Sequence, residues 1–150
     1  MRFYYIFLII VAAACQSNNS PSGTDSADLP SELEPLYEEV INIHDEVMPE
    51  MSKVTQLQTQ VTDRLKGQRA EQPINTEKLK ETNQILGQLN RAESAMWDWM
   101  HNFGKLDSIP PSEKERFLQS EKLSAENMKN LVLESIKEAT EFLEQTPQGE

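Results

Sequence analysis

The sequence predicts an all-α fold, an elongated antiparallel three-helix bundle of coiled-coil character, and three observations predict it. Apolar residues recur at alternating spacings of four and three, the mark of a helical face packed along a seam. No segment shows apolar–polar alternation between turn signals, so strands are not expected. Proline, glycine and N-capping residues punctuate the chain so that three long amphipathic segments remain, joined by short loops.

The first fifteen residues stand outside that bundle. Arg2 precedes an apolar run from Phe3 to Ala13, followed by small residues ending at Cys15. The run stops well short of the roughly 20 apolar residues a membrane-spanning helix needs, and reads as an export signal over 1–14. Ala12-Ala13-Ala14-Cys15 resembles the lipobox of bacterial lipoproteins, although Ala12 stands where that family prefers Leu. The resemblance implies lipidation of Cys15 as the mature first residue. The only thiol is then consumed, which leaves no disulfide, cysteine nucleophile or thiolate metal site. Residues 15–30 are rich in Ser, Asn, Asp, Pro and Gly, and read as a tether averaging roughly 20 Å from lipid to domain.

The bundle is expected over 31–145. Helix one starts at Ser31-Glu32-Leu33-Glu34, in the form of a capping box, or with Glu34 as cap and Pro35 at the first helical position. Its seam is Leu33, Tyr37, Val40, His44, Val47, Met51, Val54, Gln58, Val61 and Leu65, with Gly67 as the stop. Pro49 cannot donate to the Asp45 carbonyl, which costs about 3 kcal/mol in a regular helix. A kink or break is therefore expected near 45–49, and a full break gives four segments with Pro49 opening the second. Helix two follows Pro73, capped by Asn75 or Thr76, carries Leu79, Leu86, Leu89, Ala92, Met96, Trp99 or Met100, and Phe103, and ends at Gly104. Helix three opens on the capping box Ser112-Glu113-Lys114-Glu115 and carries Leu118, Ala125, Met128, Val132, Ile136 or Ser135, Ala139, and Phe142 or Leu143. Residues 146–150 should fray.

Charge narrows the function classes. The chain carries a net charge of −11, or about −12 once Arg2 is removed. Such a surface repels nucleic acid and anionic headgroups, so lipid must do the anchoring. No Gly-rich phosphate loop, Ser-x-x-Lys or His-Glu-x-x-His is present. Acidic pairs such as Asp45 and Glu46, or Glu38 and Glu39, fit a solvated face better than an acid–base pair, which needs a desolvating cleft. No enzymatic activity is expected. Asp25-Ser26-Ala27 and Asp107-Ser108-Ile109 match the short Asp-Ser-apolar pattern of bacterial O-glycosylation.

Two groups of residues remain. Antiparallel partners on helices one and two should have numbers summing to roughly 143 or 144, which sets His44 opposite Met100 and Met48 opposite Met96. His44, Met48, Met51, Met96, Met100 and His101 thereby make a candidate soft-metal site, because thioether and imidazole suit Cu(I), with Trp97 or Trp99 as a cover. Haem held by His and Met is a further version, in a bundle with little room for it. The plain alternative is that the methionines fill the core and His44 is a seam histidine bonded to Asp98 or another neighbour. Tyr37, Trp97, Trp99, Phe103 and Phe117 fall toward the same end and are candidate partner-binding aromatics or a well-packed end of the core.

His44-Asp45-Glu46-Val47-Met48-Pro49-Glu50-Met51, with Met96-Trp97-Asp98-Trp99-Met100-His101-Asn102-Phe103 downstream of the lipobox, resembles a group of small bacterial lipoproteins often labelled "viral A-type inclusion protein". That resemblance implies an envelope location and a helical fold, and supplies no catalytic residues. The functional expectation is a lipid-anchored cell-envelope bundle, at the outer membrane facing the periplasm, with a structural or protein-interaction role. An envelope protein is its expected partner, and leftover seam residues offer a homo-oligomer contact. A periplasmic copper-binding module is the alternative.

Overall fold

The computed structural model describes residues 29–145, so the signal, Cys15, the Asp25-Ser26-Ala27 motif, most of the tether and the 146–150 tail lie outside the described residues. Within them the chain is helical. We label the helices α1 (Glu34–Val47), α2 (Met51–Ala70), α3 (Thr76–Phe103) and α4 (Pro111–Gln145), with 3-10 turns at Met48–Glu50 and Leu106–Ser108. α1, the first 3-10 turn and α2 form one arm, which packs with α3 and α4 as three helices side by side. No helix among the described residues is long and apolar enough to cross a membrane.

The heptad pattern becomes a sealed seam. Leu33, Val40, Val47, Val54, Val61 and Gln68 stand seven apart and are all buried, so the repeat runs unbroken through the 3-10 turn. The companion row of Tyr37, His44, Met51 and Gln58 is only half-buried, and Leu57, outside the expected seam, is buried in its place. α4 presents two complete rows, Leu118, Ala125, Val132 and Ala139 beside Glu121, Met128, Ser135 and Phe142. α3 contributes Thr82, Leu89, Ala92, Met96 and Trp99. A second, smaller cluster of Leu33, Leu106 and Leu118 closes the other end, and Leu29 packs onto it, two residues before the expected domain start at Ser31.

Side-chain contacts fix the direction of each arm. Lys122 pairs with Glu39 at 2.6 Å and Lys129 with Glu46 at 2.5 Å, one heptad along both helices, so α1 and α4 run parallel. Glu39 raises the pKa of Lys122 through that hydrogen bond. Gln58 Nε2 donates to Glu93 at 2.8 Å and Thr82 Oγ1 to Gln68 Oε1 at 2.8 Å, which makes α2 and α3 antiparallel. The Trp99 indole N–H donates to the Glu121 carbonyl at 3.2 Å, while Ser135 Oγ lies 3.4 Å from the Gln88 carbonyl, so α3 and α4 are antiparallel as well. The up-down-up arrangement is the one expected.

The element ends differ in several places. α1 starts at Glu34 after Leu33, with no side-chain cap and Pro35 in its first turn, so neither expected cap forms. Pro49 does not open the second segment. It lies within the 3-10 turn, where one missing N–H is tolerated, and α2 opens at Met51. Gly67 does not stop the helix. It is exposed, an added Cβ would meet nothing within 4 Å, and the helix continues through it to Ala70 because the Leu65 and Gln68 contacts outweigh about 1 kcal/mol of glycine propensity. The first interhelical turn therefore falls at 71–75. Asn75 does cap α3, its side chain accepting from Lys78 N at 3.1 Å, and Gly104 ends that helix. The Ser112 capping box gives way to an earlier start, with Pro111 in the first turn and the Glu113 N–H on the Pro110 carbonyl at 2.8 Å.

Candidate functional site

Four of the residues singled out in the sequence, Tyr37, His44, Trp99 and Phe103, meet where α1, the end of α3 and the start of α4 come together. Their centre is a ring ladder. Tyr37 and Phe103 lie 5.7 Å apart, Phe103 and Trp99 stack at 5.0 Å, and His44 stacks on Trp99 at 5.3 Å with an interplanar angle of 22°. Heptad spacing produces it, since Trp99 and Phe103 are one turn apart on α3 while Tyr37 and His44 are two turns apart on α1. Trp99 is 4% exposed and its one polar atom is satisfied by α4, so it joins all three arms.

The six candidate metal ligands are distributed between core and surface. Met96 is fully buried, Met51 and Met100 pack against the core, and Met48 and His101 are exposed. His44 Nδ1 lies 2.9 Å from Asp45 Oδ1, which makes Asp45 the neighbour that holds the ring, and not Asp98. His44 Nε2 is buried with no hydrogen-bond partner. Among the described residues no cluster of three or more His, Cys, Asp or Glu is arranged to hold a metal ion. Trp99 lies stacked between His44 and Phe103, and Trp97 is in solvent.

The five aromatics divide just as sharply. Trp99 belongs to the core, Phe103 and Tyr37 to the ladder, and Phe117 packs against the Leu33, Leu106 and Leu118 cluster. Only Trp97, at 59% exposure, faces water.

Glu121 was not recognised from sequence as part of this region, yet it is 3% exposed. One carboxylate oxygen accepts from the Asn102 side-chain amide, and the other, Oε2, has no partner. Burial pushes its pKa above the ordinary 4.5, against the opposing pull of the Asn102 hydrogen bond and the Lys105 charge. Its signal was present in the spacing, because position 121 completes the row that runs through Met128, Ser135 and Phe142. A carboxylate on a seam is easily read as a gap in it.

A linked prediction follows from the sign of that shift. Native Glu121 holds its proton more tightly than the unfolded chain, so its contribution to stability is complete below pH 4.5 and is lost as pH rises through the folded pKa. Glu121→Gln keeps an acceptor for Asn102 and removes the titration. The variant should gain stability relative to the wild type as pH climbs from 4.5 toward neutrality, read as the difference between paired thermal melts. A constant difference across that range would contradict it.

Beside Trp99 runs an open groove between α3 and α4, lined by Ala95, Asp98, Asn102, Ser124, Asn127 and Met128 among others. A second, polar groove between α2 and α3 includes Thr55, Gln58, Thr59, Leu86 and Asn90. Compared with known protein families, curated proteins and solved structures, the chain matches none.

Proposed function

We propose that this is a lipid-anchored bundle of the bacterial cell envelope, facing the periplasm from the outer membrane, whose helical surface docks another envelope protein. The anchor rests on the Ala12-Ala13-Ala14-Cys15 segment and the polar stretch after it. The observation that carries the docking role is Trp97. It is 59% exposed while Trp99, two residues on, is 4% exposed, so the bundle leaves its largest apolar side chain in water. Buried aromatics are the usual anchors of protein interfaces, and an exposed one on a rigid helix is pre-organised for that use. The experiment is site-specific photo-crosslinking in the cells that make the protein, with the photoreactive residue placed at Trp97 or, as a control, at exposed Glu141. A discrete adduct from position 97 alone is expected; identical patterns from both positions would sink the reading.

A copper-binding role is the second reading, and the observation favouring it is the buried, unpartnered Nε2 of His44. Titration of the 28–150 chain with Cu(I) against a chromophoric chelator, beside a His44→Ala, Met48→Leu double variant, separates the two. Under the docking role both proteins leave the chelator loaded and only thermal stability changes. Stoichiometric copper uptake lost in the double variant would install the metal site instead.

A further inference from the structure

We infer that the face carrying Trp97 and Met48 docks a Lys- or Arg-rich segment of a partner protein, with a cation seated on the Trp97 indole. The inference rests on the docking role above and gives it a surface and a partner chemistry.

Position comes first. On α3, Asn90 meets Gln58 of α2, and Trp99 meets His44 of α1. These two contacts bracket Trp97 on one side of the groove and the 3-10 turn Met48–Glu50 on the other. Trp97 stands seven residues beyond Asn90, on the same flank of α3, and Met48 seven before Thr55, on the stripe that lines the groove with Asn90. Both are exposed, Trp97 at 59% and Met48 at 40%, so two large apolar side chains stand uncovered, each one heptad from a residue that lines the groove.

Charge says what covers them. From Glu34 to Glu50 the first arm carries Glu34, Glu38, Glu39, Asp45, Glu46 and Glu50 and no Lys or Arg. From residue 92 to residue 103, α3 carries Glu93 and Asp98 and again no Lys or Arg. Glu39 and Glu46 are neutralised by Lys122 and Lys129 of α4. Among the described residues Glu34, Glu38, Glu50 and Asp98 have no ion pair with a Lys or Arg, Asp45 pairs only with the neighbouring His44, and the first Lys beyond the turn is Lys53. An apolar anchor inside an acidic field attracts a basic partner and repels an acidic one. A second copy of this chain, at net −11, and an anionic lipid surface are both disfavoured on the same ground. Trp is the best ring for a cation, and Met48 offers a soft, adaptable apolar contact beside it.

The test uses the full chain in a mild detergent, with a nine-residue arginine peptide as probe and a nine-residue glutamate peptide as control. The arginine peptide should shift the Trp97 indole N–H resonance and leave that of Trp99 in place. Its affinity should fall about two- to thirtyfold in Trp97→Ala. It should be unchanged in the remote variant Glu138→Gln, Glu141→Gln, whose charges lie at the far end of α4. Equal weakening in both variants, or none in Trp97→Ala, would show net charge alone at work and overturn the inference. Self-association that already shields Trp97, seen as a dimer whose indole shift reverses on dilution, would also overturn it. If crosslinking captures a partner while the arginine peptide leaves Trp97 untouched, the docking role stands and this partner chemistry fails; if neither occurs, both fail.

Discussion

Trp99→Ala should destabilise the bundle by about 3 to 5 kcal/mol, whereas Trp97→Ala should cost less than about 0.5 kcal/mol. The two residues are neighbours but one in sequence and chemically identical, so the contrast isolates environment. Removing Trp99 opens a void between His44 and Phe103 and deletes the indole donor to the Glu121 carbonyl. All three arms lose a contact at once. Trp97 has water on most of its surface and contributes little to the folded state. Urea unfolding followed by helical circular dichroism gives both numbers. Trp99→Phe divides the large effect: it retains stacking and loses the indole hydrogen bond, at a cost nearer 1 kcal/mol plus whatever the smaller ring leaves unfilled. Similar losses from Trp97→Ala and Trp99→Ala would mean that the ladder is not where the arms are joined.

Leu118→Ala carries the second large effect, about 2 to 5 kcal/mol, against less than about 0.5 kcal/mol for Leu123→Ala on the same helix. Leu118 has no exposed surface and is the shared member of the cluster formed with Leu33 and Leu106, which holds the start of α1 and the turn before α4 onto the bundle. Leu123 is 60% exposed. Because that cluster is small and sits at one end, Leu118→Ala should also release amides around Leu33 and Leu106 to faster hydrogen exchange while those around Leu57 and Leu89 stay protected. Uniform loss of protection along the bundle would show instead that the two clusters form a single cooperative unit.

Both predictions bear on the proposed docking face. The ladder ties the α3 backbone beneath Trp97 to α1, so under the proposed docking role seating the indole costs the ordering of one side chain and no rearrangement of the helix. The acidic first arm is itself held by Lys122 and Lys129, which pair with only two of its carboxylates. Exposed pairs of this kind add little stability. These two lie one heptad apart on both helices and match the parallel register of α1 on α4.

What the residues by themselves determined was periodicity, and periodicity was enough for the architecture. Four-and-three spacing gives helices, three such segments between Pro and Gly signals give an up-down-up bundle, and Asn75 and Gly104 end α3 because local backbone donors and acceptors must be satisfied nearby. The same spacing identified the region of interest, since His44, Trp99, Tyr37 and Phe103 repeat on adjoining seams. Which member of each row is sealed was decided only by packing. Trp97 and Trp99 are indistinguishable by type, and a rotation of 200° about α3 sends one to water and the other between two rings. Met48 and Met96 were read as partners, yet one is 40% exposed and the other 1%, because a third helix covers one flank of the seam and not the other. Glu121 shows the same limit from the opposite side: its type argues for solvent, and the rows on either side of it leave the chain no way to put it there.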